Sequence, residues 1–489
     1  MRGYIVGTGG GSLSGGPLLG GPLLVAPQSA RERVLGSAAV HLPEQPPFVL
    51  RARILSPLGD DVTLHLPDGL LAVDAAGRIA AVAPAADRPD LAAGAVDIRP
   101  LVLLPGLVDL HAHLPQVPSA GLGYGLSLLP WLERHVFPLE REWDDPAVAR
   151  RMAPRAFEAF AAAGTTTVIA YGAVFATSLD AAFRAAEAHG IRAILGKVMM
   201  DRGTYDTDIA APAILEQSVR ESVDLARRWH GAAGGRLGYA FTPRFAISCS
   251  PELLRASADA ARATGAWWQT HVSEDRGEIA EVARLFPEAL DYVDIYEQAG
   301  GLGPRAILAH AIYLSDRELR RLTETGTRVA HCPASNLFLG AGVMPLARYR
   351  RAGLDMGLGS DVAGGPELSL FSVMRAGAYS QVALRSLAGE TGPPLGPLDW
   401  LRMGSLDGAR ALGLDGEIGS LEAGKAADLI AVDVSLVTPM AGQVDDQAVD
   451  LVSRMIFREH PAMVRGAWVN GRRLAGPPGI AGPPATPAT

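Results

Sequence analysis

Leu101-Val-Leu-Leu-Pro-Gly-Leu-Val-Asp-Leu-His-Ala-His113 opens with an apolar run, Leu101–Leu110, and ends in two histidines two positions apart. Seven more strand-length apolar runs follow: Thr165–Tyr171, Arg192–Met200, Leu237–Phe245, Trp267–His271, Ala306–His310, Arg328–His331 and Met356–Gly359. Between them lie amphipathic stretches such as Pro251–Thr264, Ser315–Glu324 and Leu368–Leu384, long enough to be helical crossovers between parallel strands. Eight such pairs predict an α/β chain built on a closed (β/α)8 TIM-like barrel.

Outside the barrel the rhythm changes. Val49–Leu55, Leu70–Asp74 and Arg78–Ala83 read as short strands between Gly turns, and Asp415–Val432 and Met463–Arg472 return to that pattern near the other end. Residues 48–104 and 413–475 are therefore expected to form a small composite β-sandwich domain beside a barrel of residues 105–412. The Gly- and Pro-rich Met1–Pro47 reads as a flexible extension or as a start codon placed too early, and residues 476–489 as a flexible tail.

The 489 residues are 48% hydrophobic and 20% charged, a balance that buries a large core and excludes wholesale disorder. A net charge of −8, spread along the chain, gives no basic stripe and excludes a nucleic acid polymer as partner. No apolar stretch reaches the roughly 18 residues of a membrane span. Cys249 and Cys332 are expected to be free thiols in a reducing compartment, the cytoplasm.

Polar residues gather at the carboxyl ends of the apolar runs, where a barrel of this kind carries its active site. In a strand His111 and His113 point to one side and can converge on one ion. Later runs end in His271, His310, His331 and Asp361. Taken as ligands, His111, His113, His271 and Asp361 give a divalent metal three nitrogens and one carboxylate, with a position left for a water that the ion acidifies. Such a set suits zinc best and iron as well. Glu274, three residues past His271, reaches the same rim as a proton shuttle. His310 is placed either to orient the water or, with Asp361, to stabilise the tetrahedral intermediate. The run His331-Cys332-Pro333-Ala-Ser335-Asn336 is either supporting shell or loop scaffolding. The remaining histidines, at 41, 65, 135, 189, 230 and 460, are set aside as surface or structural.

Pro105-Gly-Leu-Val-Asp-Leu-His-Ala-His113 and Glu422-Ala-Gly-Lys-Ala-Ala-Asp-Leu resemble the metal-dependent amidohydrolase superfamily. His113-Leu-Pro-Gln116, the stretch Leu128–Pro138, Thr242-Pro-Arg244-Phe245-Ala-Ile-Ser-Cys-Ser and Gly357-Leu-Gly-Ser-Asp361-Val-Ala-Gly-Gly365 resemble its guanine deaminases. The resemblance implies hydrolysis of guanine to xanthine and ammonia by metal-activated hydroxide, and a homodimer. It also implies that Gln116, Arg244 and Phe245, with His271 and His310, hold the purine. An arginine fork suits the O6 edge of guanine, a phenyl ring stacks on the base, and an amide offers both a donor and an acceptor. The chain departs from the family at Ala311-Ile312, where Gly-Cys is usual, which implies a differently shaped pocket wall. Related chemistries are deamination of 8-oxoguanine, a pterin or an adenosine thioether, and triazine dechlorination; an inactive scaffold barrel is the alternative of another kind. The deaminases with a Cys-x-x-Cys ligand pair are a separate class, and Cys249 and Cys332 lack that spacing.

Overall fold

A computed structural model describes residues 41–59, 61–203, 211–389, 394–440 and 447–476. The strands, in chain order, are β1 (Phe48–Pro57), β2 (Thr63–Val73), β3 (Ile79–Pro84), β4 (Val96–Pro105), β5 (Leu107–His113), β6 (Thr165–Tyr171), β7 (Arg192–Gly196), β8 (Val198–Met199), β9 (Leu237–Pro243), β10 (Trp267–Val272), β11 (Ala306–His310), β12 (Arg328–His331), β13 (Met356–Leu358), β14 (Leu429–Val432), β15 (Val464–Val469) and β16 (Arg472–Arg473).

The segments before and after the barrel merge into one seven-stranded sheet, ordered β16-β15-β14-β4-β1-β2-β3 and antiparallel except between β1 and β4. One face buries Leu50, Ile54, Leu71, Ile98, Leu103 and Trp468. Six of the residues assigned to the extension belong to this unit. Leu42 is buried, the Trp468 indole donates to the Pro43 carbonyl at 2.8 Å, and the Arg473 amide donates to Glu44 O at 3.0 Å. The packed unit thus begins at Leu42; residues 1–40 and 477–489, which hold most of the expected extension and tail, lie outside the described residues. Residues 413–475 are also not all sheet, because the helix Ala448–Phe457 packs on the barrel helices Leu370–Ala388 and Pro397–Met403.

The other strands, β5-β6-β7-β9-β10-β11-β12-β13, are parallel and run in chain order around a barrel, with β8 paired to β9. The expected first run, Leu101–Leu110, is in fact shared: β4 ends it in the sheet at Pro105 and β5 begins the barrel at Leu107. Gly106 makes the crossing, since a Cβ there would lie 2.0 Å from Thr166 Oγ1. The helices Pro251–Thr264, Asp316–Thr325 and Leu370–Ala388 fall where the amphipathic stretches predict them; Ser250 and Ser315 cap the first two, each accepting from a backbone N–H three residues on.

Strand β5 carries the irregularity on which the site depends. Leu107 packs outward with Phe157 and Phe160, whereas Val108 and Leu110 pack inside the barrel with Ile169, Ile194, Ala240 and Ile307. Strict alternation would then send His111 and His113 outward with Leu107. The register against β6 shifts between Asp109 and Ala112, so three residues of β5 advance where β6 advances two. This bulge reverses the phase and turns both histidines inward.

The seam between β5 and β13 closes the barrel without a full strand ladder. Asp361 N donates to His111 O at 2.8 Å and His113 N to Val362 O at 2.9 Å. One oxygen of the buried Asp109 accepts from Ser360 N at 2.9 Å and from His111 N at 3.1 Å. Glycines let the two strands approach: a Cβ on Gly359 would lie 2.8 Å from His111 Cβ and 2.9 Å from Cys332 Sγ. Gly359→Ala is therefore expected to cost about 1–3 kcal/mol by overpacking. A lowered melting midpoint together with reduced metal content is the expected result, and an unchanged melt would show that the seam has room to spare.

Candidate active site

His111, His113, His271, His310, Glu274 and Asp361 meet inside the carboxyl end of the barrel, all less than one-tenth exposed. His111 Nε2 and His113 Nε2 are 3.2 Å apart, and His113 Nε2 and His271 Nε2 are 3.3 Å apart. Asp361 Oδ1 stands 3.1 Å from His111 Nε2 and 3.3 Å from His113 Nε2. Two nitrogens that share one ion at about 2.1 Å and a tetrahedral angle stand about 3.4 Å apart, so these spacings suit common ligation. His310 Nε2 is further out, 3.4 Å from Glu274 Oε2 and 3.8 Å from Asp361 Oδ2, and has no hydrogen-bond partner. A grouping with His310 in place of His113 also brings its ligand atoms within 4.8 Å of one another. The shorter contacts favour the set that contains His113.

The backbone is bent to make this convergence. Of six non-glycine residues with positive φ among the described residues, four are here: Ser273 (49°), His310 (72°), Ala311 (50°) and Asp361 (48°). A left-handed conformation costs an L-residue about 1–3 kcal/mol and persists where its surroundings enforce it. Ala311 stands where the family resemblance implies glycine, which adopts this conformation without strain. The Ala311-Ile312 departure thus falls on the backbone turn after β11, and among the described residues neither side chain lines the cavity.

Neighbouring groups fix the rings and the charges. His271 Nδ1 donates to the Arg244 carbonyl at 2.6 Å, leaving a lone pair on Nε2. His310 Nδ1 faces Asn336 Oδ1 at 2.9 Å, and because that oxygen only accepts, Nε2 is again an acceptor. Ser335 donates to Asp361 Oδ2 at 2.5 Å. Burial lowers His113 and His310 to about 4 and His271 well below the imidazole range. Burial raises the Glu274 carboxyl well above the usual range, and Asp361 adds to this. Asp361 moves the other way: burial opposes its charge, but His111, His113 and His310 outweigh it and hold the carboxyl well below the usual range. Behind Glu274, the buried Glu278 accepts from the Glu274 backbone N–H at 2.8 Å and from the Tyr292 hydroxyl at 2.6 Å.

A cavity of about 350 Å³, counting the part open to solvent, leads down to these groups. Leu128, Trp131, Leu132, Leu339 and Phe245 form its apolar lining, and Gln116 and Arg244 supply a polar wall. The Phe245 ring stands edge-on to His271 with centroids 6.4 Å apart. Gln116 Nε2 donates to Glu140 Oε1 at 2.7 Å, and Arg244 Nη1 donates to Glu140 Oε2 at 2.5 Å.

All nine residues proposed from the sequence are thus brought to one place. His331 is buried beside them with neither ring nitrogen hydrogen-bonded and its ring 6.5 Å from that of Trp400, a packing position. Glu140 and Glu278 escaped the sequence reading, whereas the stretch from His331 to Asn336, read as supporting shell or loop scaffolding, supplies Ser335 to Asp361 and Asn336 to His310. Glu140 lies two residues past Leu128–Pro138, so proximity to a motif was the only available signal for it.

This cluster predicts one divalent ion per chain. His113→Ala and His271→Ala should each lose most of the bound ion, as measured by elemental analysis of protein reconstituted with zinc, while His310→Ala should keep it. Loss in His310→Ala with retention in His113→Ala would reverse the choice between the two groupings.

Residues 102–474 match the amidohydrolase family. Guanine deaminase of Escherichia coli is 36% identical over 360 residues, covering 73% of this chain and 79% of its own. Guanine deaminase of Homo sapiens is 33% identical over 395 residues, covering 79% and 84%. The crystal structure of guanine deaminase from C. acetobutylicum with bound guanine in its active site aligns with a TM-score of 0.80 at 26% identity, over 88% of this chain and 100% of that one. With the barrel, the inward histidines and the Gln116–Arg244 wall in place, these likenesses put the chain in the amidohydrolase family, among its guanine deaminases.

Proposed function

We propose that this chain hydrolyses guanine to xanthine and ammonia in the cavity above His111, His113, His271 and Asp361. The observation that carries the reading is the polar wall of Gln116 and Arg244, which shares one cavity with an apolar lining and a buried acid, Glu274. Those three histidines and Asp361 would hold a divalent ion, zinc or ferrous iron, which would supply the Lewis acidity that makes water a nucleophile at neutral pH.

This chain's residues do the rest. Arg244 donates to the carbonyl oxygen of the base and Gln116 accepts from the adjacent N–H, which presents the amine-bearing carbon to the cluster. Phe245 and the leucines shield the ring from bulk water. Glu274 takes the proton that water loses as its oxygen bonds to that carbon, and passes it to the ring nitrogen and then to the amine, so that the C–N bond breaks with ammonia as leaving group. Burial suits Glu274 to this exchange, because a raised pKa lets it hold a proton near neutrality. With its Nδ1 hydrogen spent on Asn336, His310 offers a lone pair and fits the orientation of water; its alternative role, donating to an oxyanion, needs a proton that burial disfavours. Two buried free thiols, Cys249 and Cys332, suit a reducing compartment such as the cytoplasm.

Incubation of metal-replete protein with guanine, adenine, 8-oxoguanine and a pterin should give rapid, selective loss of guanine absorbance with one ammonia released per guanine. Glu274→Gln should keep its metal and lose about 10²–10⁴-fold in kcat, the range for a positioned acid–base group. A variant that retains a tenth of the wild-type rate would remove Glu274 from this role. Arg244→Ala should raise KM for guanine and reduce its advantage over adenine; an unchanged preference would show that Arg244 does not read the base.

A further inference from the structure

Glu140 lies in the short helix Phe137–Glu142, away from every strand end, and its side chain is 3% exposed. Its two oxygens are divided between the two polar residues of the cavity wall, one accepting from Gln116 Nε2 and the other from Arg244 Nη1. Gln116 comes from the turn after β5 and Arg244 from the end of β9, so one carboxylate joins three separate chain segments behind a single wall. Phe137, from the same helix, lies under the guanidinium with its ring centroid 5.4 Å from the central carbon. Glu140 itself stands behind the lining.

This arrangement dictates polarity. A carboxylate has only acceptors, so Gln116 turns its NH2 group toward Glu140 and keeps its carbonyl oxygen free to accept. Arg244, a fork of five N–H donors whose charge is matched by the same carboxylate, suits an uncharged carbonyl and gains no bias toward anions. An acceptor and a donor fork anchored on one rigid group stand side by side, as the N–H and C=O of a lactam do.

We propose that Glu140 is a positioning residue that sets the hydrogen-bond polarity of the Gln116–Arg244 wall and thereby selects bases with a neutral lactam edge. This deepens the guanine reading and rests on it for the identity of the natural substrate. In Glu140→Gln one oxygen becomes an NH2 group. If the remaining oxygen keeps Arg244, the new NH2 meets Gln116, which must reverse its amide and present donors to the base.

The test uses full-length, metal-replete protein, with guanine for turnover and with hypoxanthine and adenine as calorimetric binding probes. Hypoxanthine has the lactam edge of guanine and no exocyclic amine to lose. Glu140→Gln should raise KM for guanine about 10- to 100-fold, the effect of reversing one buried hydrogen bond, while kcat falls less than about threefold. The binding preference for hypoxanthine over adenine should fall by a similar factor. The double variant Gln116→Glu with Glu140→Gln puts an acceptor back at position 116 and should recover at least half of the loss on a logarithmic scale, which a purely structural defect would not do. If Glu140→Gln does not fold, the double variant and Glu140→Asp, which keeps the carboxylate, carry the same comparison. Unchanged KM and unchanged hypoxanthine preference in a folded variant, or a double variant no better than the single one, would overturn the proposal. Failure of the wild type to turn over guanine, with the hypoxanthine effect intact, would instead sink the guanine reading and leave the role of Glu140 standing.

Discussion

The bulge in β5 is the constraint on which the site depends. A barrel strand with Val108 and Leu110 in the interior has its next inward position at Ala112, and the two histidines would then face the helices. One inserted residue between Asp109 and Ala112 moves them inside. The same irregularity interrupts the ladder to β6, and Asp109 compensates by accepting from His111 N and Ser360 N across the seam. Burial pushes Asp109 up to about 6, so it is held as a structural acceptor at an electrostatic cost. Closing the barrel and aiming its first two histidines are thus one event, and Gly357 in β13 with Gly359 just after it make the approach sterically feasible.

Much of this is legible in the chain because period and position coincide. Eight apolar runs, spaced by helix-length stretches, specify a barrel, and polar residues at run ends mark its working face. His111, His113, His271, Glu274, His310 and Asp361 are visible for that reason. The bulge is not, since a two-residue spacing is the same whether the pair points in or out. Nor is the division of Leu101–Leu110 between two sheets, because apolarity is continuous across Pro105 and only the steric demand at Gly106 separates them. Glu140 and Glu278 are invisible for another reason: a glutamate in a short helix reads as solvated surface, and only tertiary packing encloses it. Leu42–Pro47 shows the converse, in that a Gly- and Pro-rich neighbourhood hides a buried leucine and two backbone acceptors used by the sheet.

The resemblance to guanine deaminases contributes what periodicity cannot, namely Gln116, Arg244 and Phe245, and the structure supplies what the motifs leave out. Motif residues at the wall are held from behind by a carboxylate outside the quoted stretches, and motif residues at the cluster are held by Ser335, Asn336 and the Arg244 carbonyl. Arg244 serves both sides: its side chain lines the wall while its backbone oxygen fixes the ring of His271. A displacement of β9 would therefore disturb substrate recognition and ligand geometry together, which couples two functions that look separate in the sequence.

The electrostatics of the cluster follow from its inventory. His271 Nε2 and His310 Nε2 carry lone pairs, and Asp361 and Glu274 bring two carboxyl groups, all of them buried. Buried acceptors without donors are costly, and the cost falls if a cation or protons enter. Asp361, ringed by imidazoles, keeps its negative charge, whereas Glu274, facing Asp361 across His310, is driven to take up a proton. Two carboxyl groups in one cavity are thus pushed in opposite directions by their neighbours, one toward permanent charge and one toward exchange. That separation is what hydrolysis asks of a pair of acids: one must hold its place through the cycle while the other gives and takes a proton.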